Sequence, residues 1–183
     1  MPVPGARALA SAALAAVLLI SAAPSSPTAA AEPTEASQVI AIAKAQLGDS
    51  WRFGATGPAS FDCIGLVLYS YRMAGDLSLI GNGNYRSVGA LYKYFRDRGK
   101  TSQTTATPGD LVVWGGGSHI GIYLGGGMAI STLNTGVRIH AVNAVTAPFT
   151  AYLRTGIYQL SKPIPAAVPA RRAIPFGHAL VRR

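Results

Sequence analysis

The apolar spacing of this chain changes period near Pro108, and that change limits the fold more than any other feature. Before it, apolar residues recur at the three- and four-residue intervals of a helical face. After it, short apolar runs are separated by glycine-rich turns, the pattern of strands. Thr34–Leu47 places Val39, Ile40, Ala43 and Leu47 on one face, with Thr34 as N-cap and Gly48 as stop. Trp51-Arg52-Phe53 reads as a short extended piece before a loop with Gly54, Gly57 and Pro58. A second helix is predicted from Cys63 to Ala74, stopped by Gly75. A third spans Ser87–Arg98, with Leu91, Tyr94 and Phe95 on one face. Strands are predicted over Asp110–Trp114, His119–Leu124, Met128–Thr132 and Val137–Ala141, with a last one over Tyr152–Gln159. The glycine-rich turns between them imply an antiparallel meander. Helices first and strands second make an α+β domain, with the helices packed on a small antiparallel sheet.

The two ends read differently. Residues 1–31 have Arg7, a short apolar run over Ala8–Ala23, helix breakers at Pro24 and Pro27, and small residues at Ala29–Ala31. That is the layout of an export signal cleaved near Ala31, with a run short for a membrane span. Retention of this segment as a membrane anchor is the alternative. Residues 32–161 then form the folded domain. Residues 162–183 hold Pro163, Pro165, Pro169 and Pro175 together with Lys162, Arg171, Arg172, Arg182 and Arg183. This is expected to be a disordered or polyproline-like basic tail.

The chain carries 16 Lys and Arg against 7 Asp and Glu, a net charge of +9 at pH 7. In an exported chain lacking stacking or groove-reading motifs, this charge does not argue for nucleic acid. It suits an anionic polymer of the cell envelope, met through the tail, or simply solvates the tail. One cysteine and three scattered histidines give no metal-ligand spacing, so neither metal nor cofactor is expected. The glycine groups lack the Lys-Ser/Thr pair of a phosphate loop.

Cys63 is the single cysteine. In an exported chain it has no internal disulfide partner. It is a buried hydrophobe, an intermolecular link or a nucleophile. Its predicted place at a helix start favours reactivity, because unpaired amides and the helix dipole lower a thiol pKa. A nucleophilic thiol also needs a base. His119 opens a strand after Gly115–Gly117 and is the best placed; His140 ends a strand, and His178 lies in the tail. From residue type alone, Trp51, Phe53 and Tyr123 read as core aromatics and Arg86 as a surface residue.

The segments Trp51–Pro58, Phe61-Asp62-Cys63, Gly65-Leu66-Val67, Pro108–Val112 and His119–Gly125 resemble the NlpC/P60 cysteine peptidases in order and spacing, from about Ser37 to Tyr158. The resemblance implies a papain-like α+β fold and hydrolysis of peptidoglycan stem peptides by an exported, monomeric enzyme, commonly between D-glutamate and a diamino acid. It implies Cys63 as nucleophile and His119 as general base, with His140 and His178 matching no family position. Asp62 falls on the acidic residue before the nucleophile, and Trp51 where the family often has tyrosine; both are expected to meet substrate. Ile64 replaces the usual Ser after the nucleophile. The third catalytic position falls on Ser131, with Asn134 or Thr132 available only if the loop is shifted. A short neutral hydroxyl there supports an imidazolium weakly. The same scaffold without hydrolysis would be a wall-binding module.

Overall fold

A computed structural model describes residues 34–157 of the 183. The expected export signal, basic tail and His178 lie outside the described residues. Within them, the three helices precede the main sheet, as predicted. Helix α1 spans Glu35–Lys44, α2 spans Cys63–Ala74 and α3 spans Val88–Arg96. Two short strands, β1 (Ser50–Trp51) and β2 (Ser60–Phe61), pair in parallel just before α2. The main sheet contains β3 (Thr101–Ser102), β4 (Leu111–Trp114), β5 (His119–Gly125), β6 (Met128–Leu133), β7 (Gly136–Ala141) and β8 (Phe149–Leu153). Its order is β3-β8-β4-β5-β6-β7, antiparallel throughout.

The helix boundaries follow from capping chemistry. Thr34, Asp62 and Ser87 each accept a backbone N–H three residues on, and so open α1, α2 and α3. Gly75 closes α2 in a left-handed conformation. Helix α1 ends at Lys44, before the predicted Leu47, which is left 47% exposed. The last strand also differs. It begins at Phe149 and stops at Leu153, because Thr155 turns inward to donate to the Asp110 carboxylate through both its N–H and its hydroxyl. Strand β8 does not extend the meander either. It returns to pair with β4 on the side opposite β5.

Helix α2 is the central element. Ile64, Leu66, Val67, Leu68, Tyr71 and Ala74 are all buried, and the Ser70 hydroxyl satisfies itself on the Leu66 carbonyl. Alternation in the sheet sends Leu111, Val113, Ile120, Ile122, Ile130 and Val137 into the core shared with the helices. The other face buries a smaller group, Val112, Trp114 and Ala129. Burial on both faces is why β4 reads as an unbroken apolar run in the sequence.

Candidate active site

Residues 54–62 fold back against the start of α2, and Asp62 organises the turn. Its Oδ1 accepts the Gly65 N–H at 2.5 Å, and its Oδ2 accepts the Gly54 N–H at 3.0 Å and the Arg86 guanidinium at 3.1 Å. Gly65 is required here. A Cβ at that position would lie 2.0 Å from the Ala55 carbonyl oxygen and 2.8 Å from the Asp62 carboxylate. The side chain expected to contact substrate is thus also the cap that sets the helix start.

Cys63 is the first residue of α2, half-buried and lining a cleft of about 900 Å³ that His119 also lines. The thiol is not depressed as a helix start alone suggests. Burial and then the Asp62 carboxylate push it above its ordinary value, against the opposing pull of the Ile64, Ile120 and Cys63 amides. Burial penalises the thiolate more than those amides stabilise it. Ile64 packs into the core at 3% exposure while forming part of the cleft wall.

His119 opens β5. Burial, reinforced by the nearby His140, pulls its imidazole from 6.5 to about 4. Both shifts favour the neutral thiol and the neutral imidazole over an ion pair. His119 Nε2 lies 2.9 Å from Ser131 Oγ on β6, so the hydroxyl at the expected third position does meet the ring. Neither alternative takes its place. Asn134 is exposed on the cleft rim, and the buried Thr132 hydroxyl has no hydrogen-bond partner among the described residues.

Sequence reasoning missed His140. Ser131 Oγ lies 2.8 Å from His140 Nε2 on β7, and His140 Nδ1 lies 3.0 Å from the Ala141 carbonyl oxygen. The sheet register produces this row. Gly121 pairs with Ser131, and Ser131 with Arg138, so His119 and His140 are each two residues along from a partner of Ser131 and share its face. Trp114 lies beside both imidazoles, with ring centroids at 5.3 and 5.7 Å, and its indole N–H is held by the Val142 carbonyl at 2.8 Å. Gly121 keeps the row compact, since a Cβ there would sit 2.9 Å from the Ser131 Cβ. The two-residue turn Asn134-Thr135 was the available signal: it fixes Leu133 opposite Gly136, and thereby Ser131 within diagonal reach of His140.

The aromatics differ from the reading by residue type alone. Trp51 (43% exposed) and Phe53 (86% exposed) stand on the cleft wall and not in the core. Tyr123 is half-buried against the smaller cluster. Arg86 is at the surface as expected, but it is tied to Asp62 and lines the cleft. Among the described residues no group of side chains could hold a metal.

Cys63 at the start of α2 and His119 at the start of β5 thus line one cleft of an α+β domain. The NlpC/P60 family model matches residues 48–154, and the chain belongs to that family. It is 38% identical over 110 residues to a protein named probable endopeptidase p60 from Listeria grayi, a match covering 58% of this chain and 20% of that one. It is 32% identical over 100 residues to murein DD-endopeptidase MepH of Escherichia coli, covering 51% and 35%. The chain thus spans about a fifth of the p60 relatives it matches. The peptidoglycan hydrolase RipB from Mycobacterium tuberculosis superposes with a TM-score of 0.53 at 27% identity, covering 66% of this chain and 64% of that one. RipD from the same organism, described as a non-catalytic NlpC/p60 domain protein adapted to peptidoglycan binding, shares the fold at 0.54 and 24% identity, covering 67% and 97%.

Proposed function

We propose that this protein is a thiol endopeptidase of peptidoglycan stem peptides, cutting between D-glutamate and a diamino acid, with Cys63 as nucleophile and His119 as general base. The observation that supports it most is the joint placement of a helix-start thiol and a neutral imidazole in one cleft. With Nε2 engaged by Ser131, Nδ1 is the nitrogen left to work on the thiol. It takes the Cys63 proton as sulfur attacks the scissile carbonyl carbon. The oxyanion is stabilised by backbone N–H groups at the start of α2, including that of Cys63. The imidazolium then protonates the leaving amine as the C–N bond breaks. Water, deprotonated by His119, releases the acyl group from sulfur. Asp62 and Arg86 present a fixed charge pair at the cleft, and Trp51 and Phe53 offer apolar surface to the substrate.

The second reading is a wall-binding module without hydrolysis. It is favoured by the raised thiol and by the fold shared with RipD. Purified sacculi separate the two. The peptidase reading expects soluble peptide release by wild type and binding without release by Cys63→Ala. Equal retention with no release by either protein would establish the binding module instead. Export, a monomeric state and wall contacts of the basic tail complete the proposal. Deleting residues 162–183 is expected to weaken wall retention more at low salt than at high salt.

A further inference from the structure

We infer that His140 is a positioning residue for this reaction: acting through Ser131, it fixes His119 in the tautomer whose Nδ1 is free to take the Cys63 proton. The inference rests on the peptidase reading above, but its core is a hydrogen-bond direction that holds without it. The Ala141 carbonyl can only accept, so His140 Nδ1 carries the proton and donates across 3.0 Å. In a neutral ring, His140 Nε2 is then a bare acceptor. Ser131 therefore donates its single hydroxyl proton to His140, across 2.8 Å. Its oxygen, with that proton committed, accepts from His119 Nε2–H across 2.9 Å. His119 Nδ1 is left unprotonated. One main-chain carbonyl at the end of β7 thus sets the polarity of the whole row.

The arrangement answers the weakness of serine at the third position. A lone hydroxyl is free to rotate and can donate to His119 as readily as accept from it. Donation would put the ring proton on Nδ1, where it blocks uptake of the thiol proton. His140 removes that choice. Committing the hydroxyl proton also polarises Ser131 Oγ, which makes it a better acceptor when His119 becomes cationic. A proton taken up at Nδ1 leaves His119 Nε2–H donating to Ser131, so the direction of the row is the same in the resting and protonated forms of His119.

The test is nitrogen-15 NMR of the imidazoles in the full chain, paired with kinetics on muropeptides. At neutral pH, His119 is expected as the Nε2–H tautomer and His140 as the Nδ1–H tautomer. Ser131→Ala should return His119 to a mixture. Replacing His140 by Leu should lower kcat by about 10- to 100-fold with little change in KM. Replacing it by Gln, whose Oε1 can stand where Nε2 stood, should restore most of that loss. His119 in the Nδ1–H form, or His140 in the Nε2–H form, overturns the relay. So does a Leu variant that is folded, by its melting temperature, and as fast as wild type. If the wild type cuts no muropeptide while the tautomers are as stated, the peptidase reading falls and the relay stands. Reversed tautomers with full cleavage overturn the relay alone.

Discussion

Acidification should destabilise the fold through His119, and the size of the effect follows from its surroundings. The imidazole drops from 6.5 to about 4 on folding, first because it is buried and second because His140 is near. A depressed base binds its proton more readily in the unfolded chain. Stability from this residue is therefore complete above 6.5 and is lost as pH falls toward 4. At about 1.4 kcal/mol per pKa unit, the loss amounts to about 3 kcal/mol, a large part of the margin of a domain this size. His119→Gln keeps a polar side chain but cannot titrate. Urea unfolding of both proteins across the mildly acidic range gives the difference, with the titrating groups that do not interact with His119 cancelling. The wild type should be the more stable partner at neutral pH, or nearly equal, and should lose about 3 kcal/mol relative to the variant on acidification. A difference that stays constant within about 0.5 kcal/mol, or a His119 titration seen by NMR at its ordinary value, would refute the burial argument.

Other consequences of the site can be checked separately. Asp62→Asn removes a charge that raises the thiol pKa, so Cys63 should ionise at lower pH, read from the pH dependence of alkylation. An unchanged titration would show that burial alone sets the thiol, and a higher one would refute the effect of the Asp62 charge. The same variant keeps an oxygen to cap the Gly65 N–H but loses the charge paired with Arg86 and the acceptor of the Gly54 N–H, and should cost about 1 kcal/mol, measured by urea unfolding. In the wild type, alkylation should keep rising with pH above neutrality, with no plateau of the kind a preformed thiolate–imidazolium pair would give. Gly65→Ala should cost about 2 kcal/mol or more, because its Cβ meets the main chain of Ala55 rather than a movable side chain. A melting temperature equal to wild type would mean that the turn before α2 yields easily.

The sequence made legible what depends on local spacing. Thr34 and Ser87 announce their helices, Gly75 stops α2, and the change of period near Pro108 separates helices from sheet. Cys63 at a helix start and His119 at a strand start were readable for the same reason. What depends on environment was not. The helix start suggested a depressed thiol, but burial and Asp62 outweigh the amides, and neither the depth of Cys63 nor the orientation of Asp62 is a local property. Trp51 and Phe53 read as core because aromatic rings usually are, yet the short pairing of β1 with β2 leaves them on the cleft wall. His140 escaped because its role depends on the β5–β6 and β6–β7 registers together.

The measurement that bears most directly on the central claim is mass spectrometry of defined muropeptides after incubation with the wild type and with Cys63→Ala. The account predicts two fragments from the wild type, with a new amine on the diamino acid and a new carboxylate on D-glutamate, and intact substrate from the variant. Intact substrate from both folded proteins, or identical fragments from both, would contradict it.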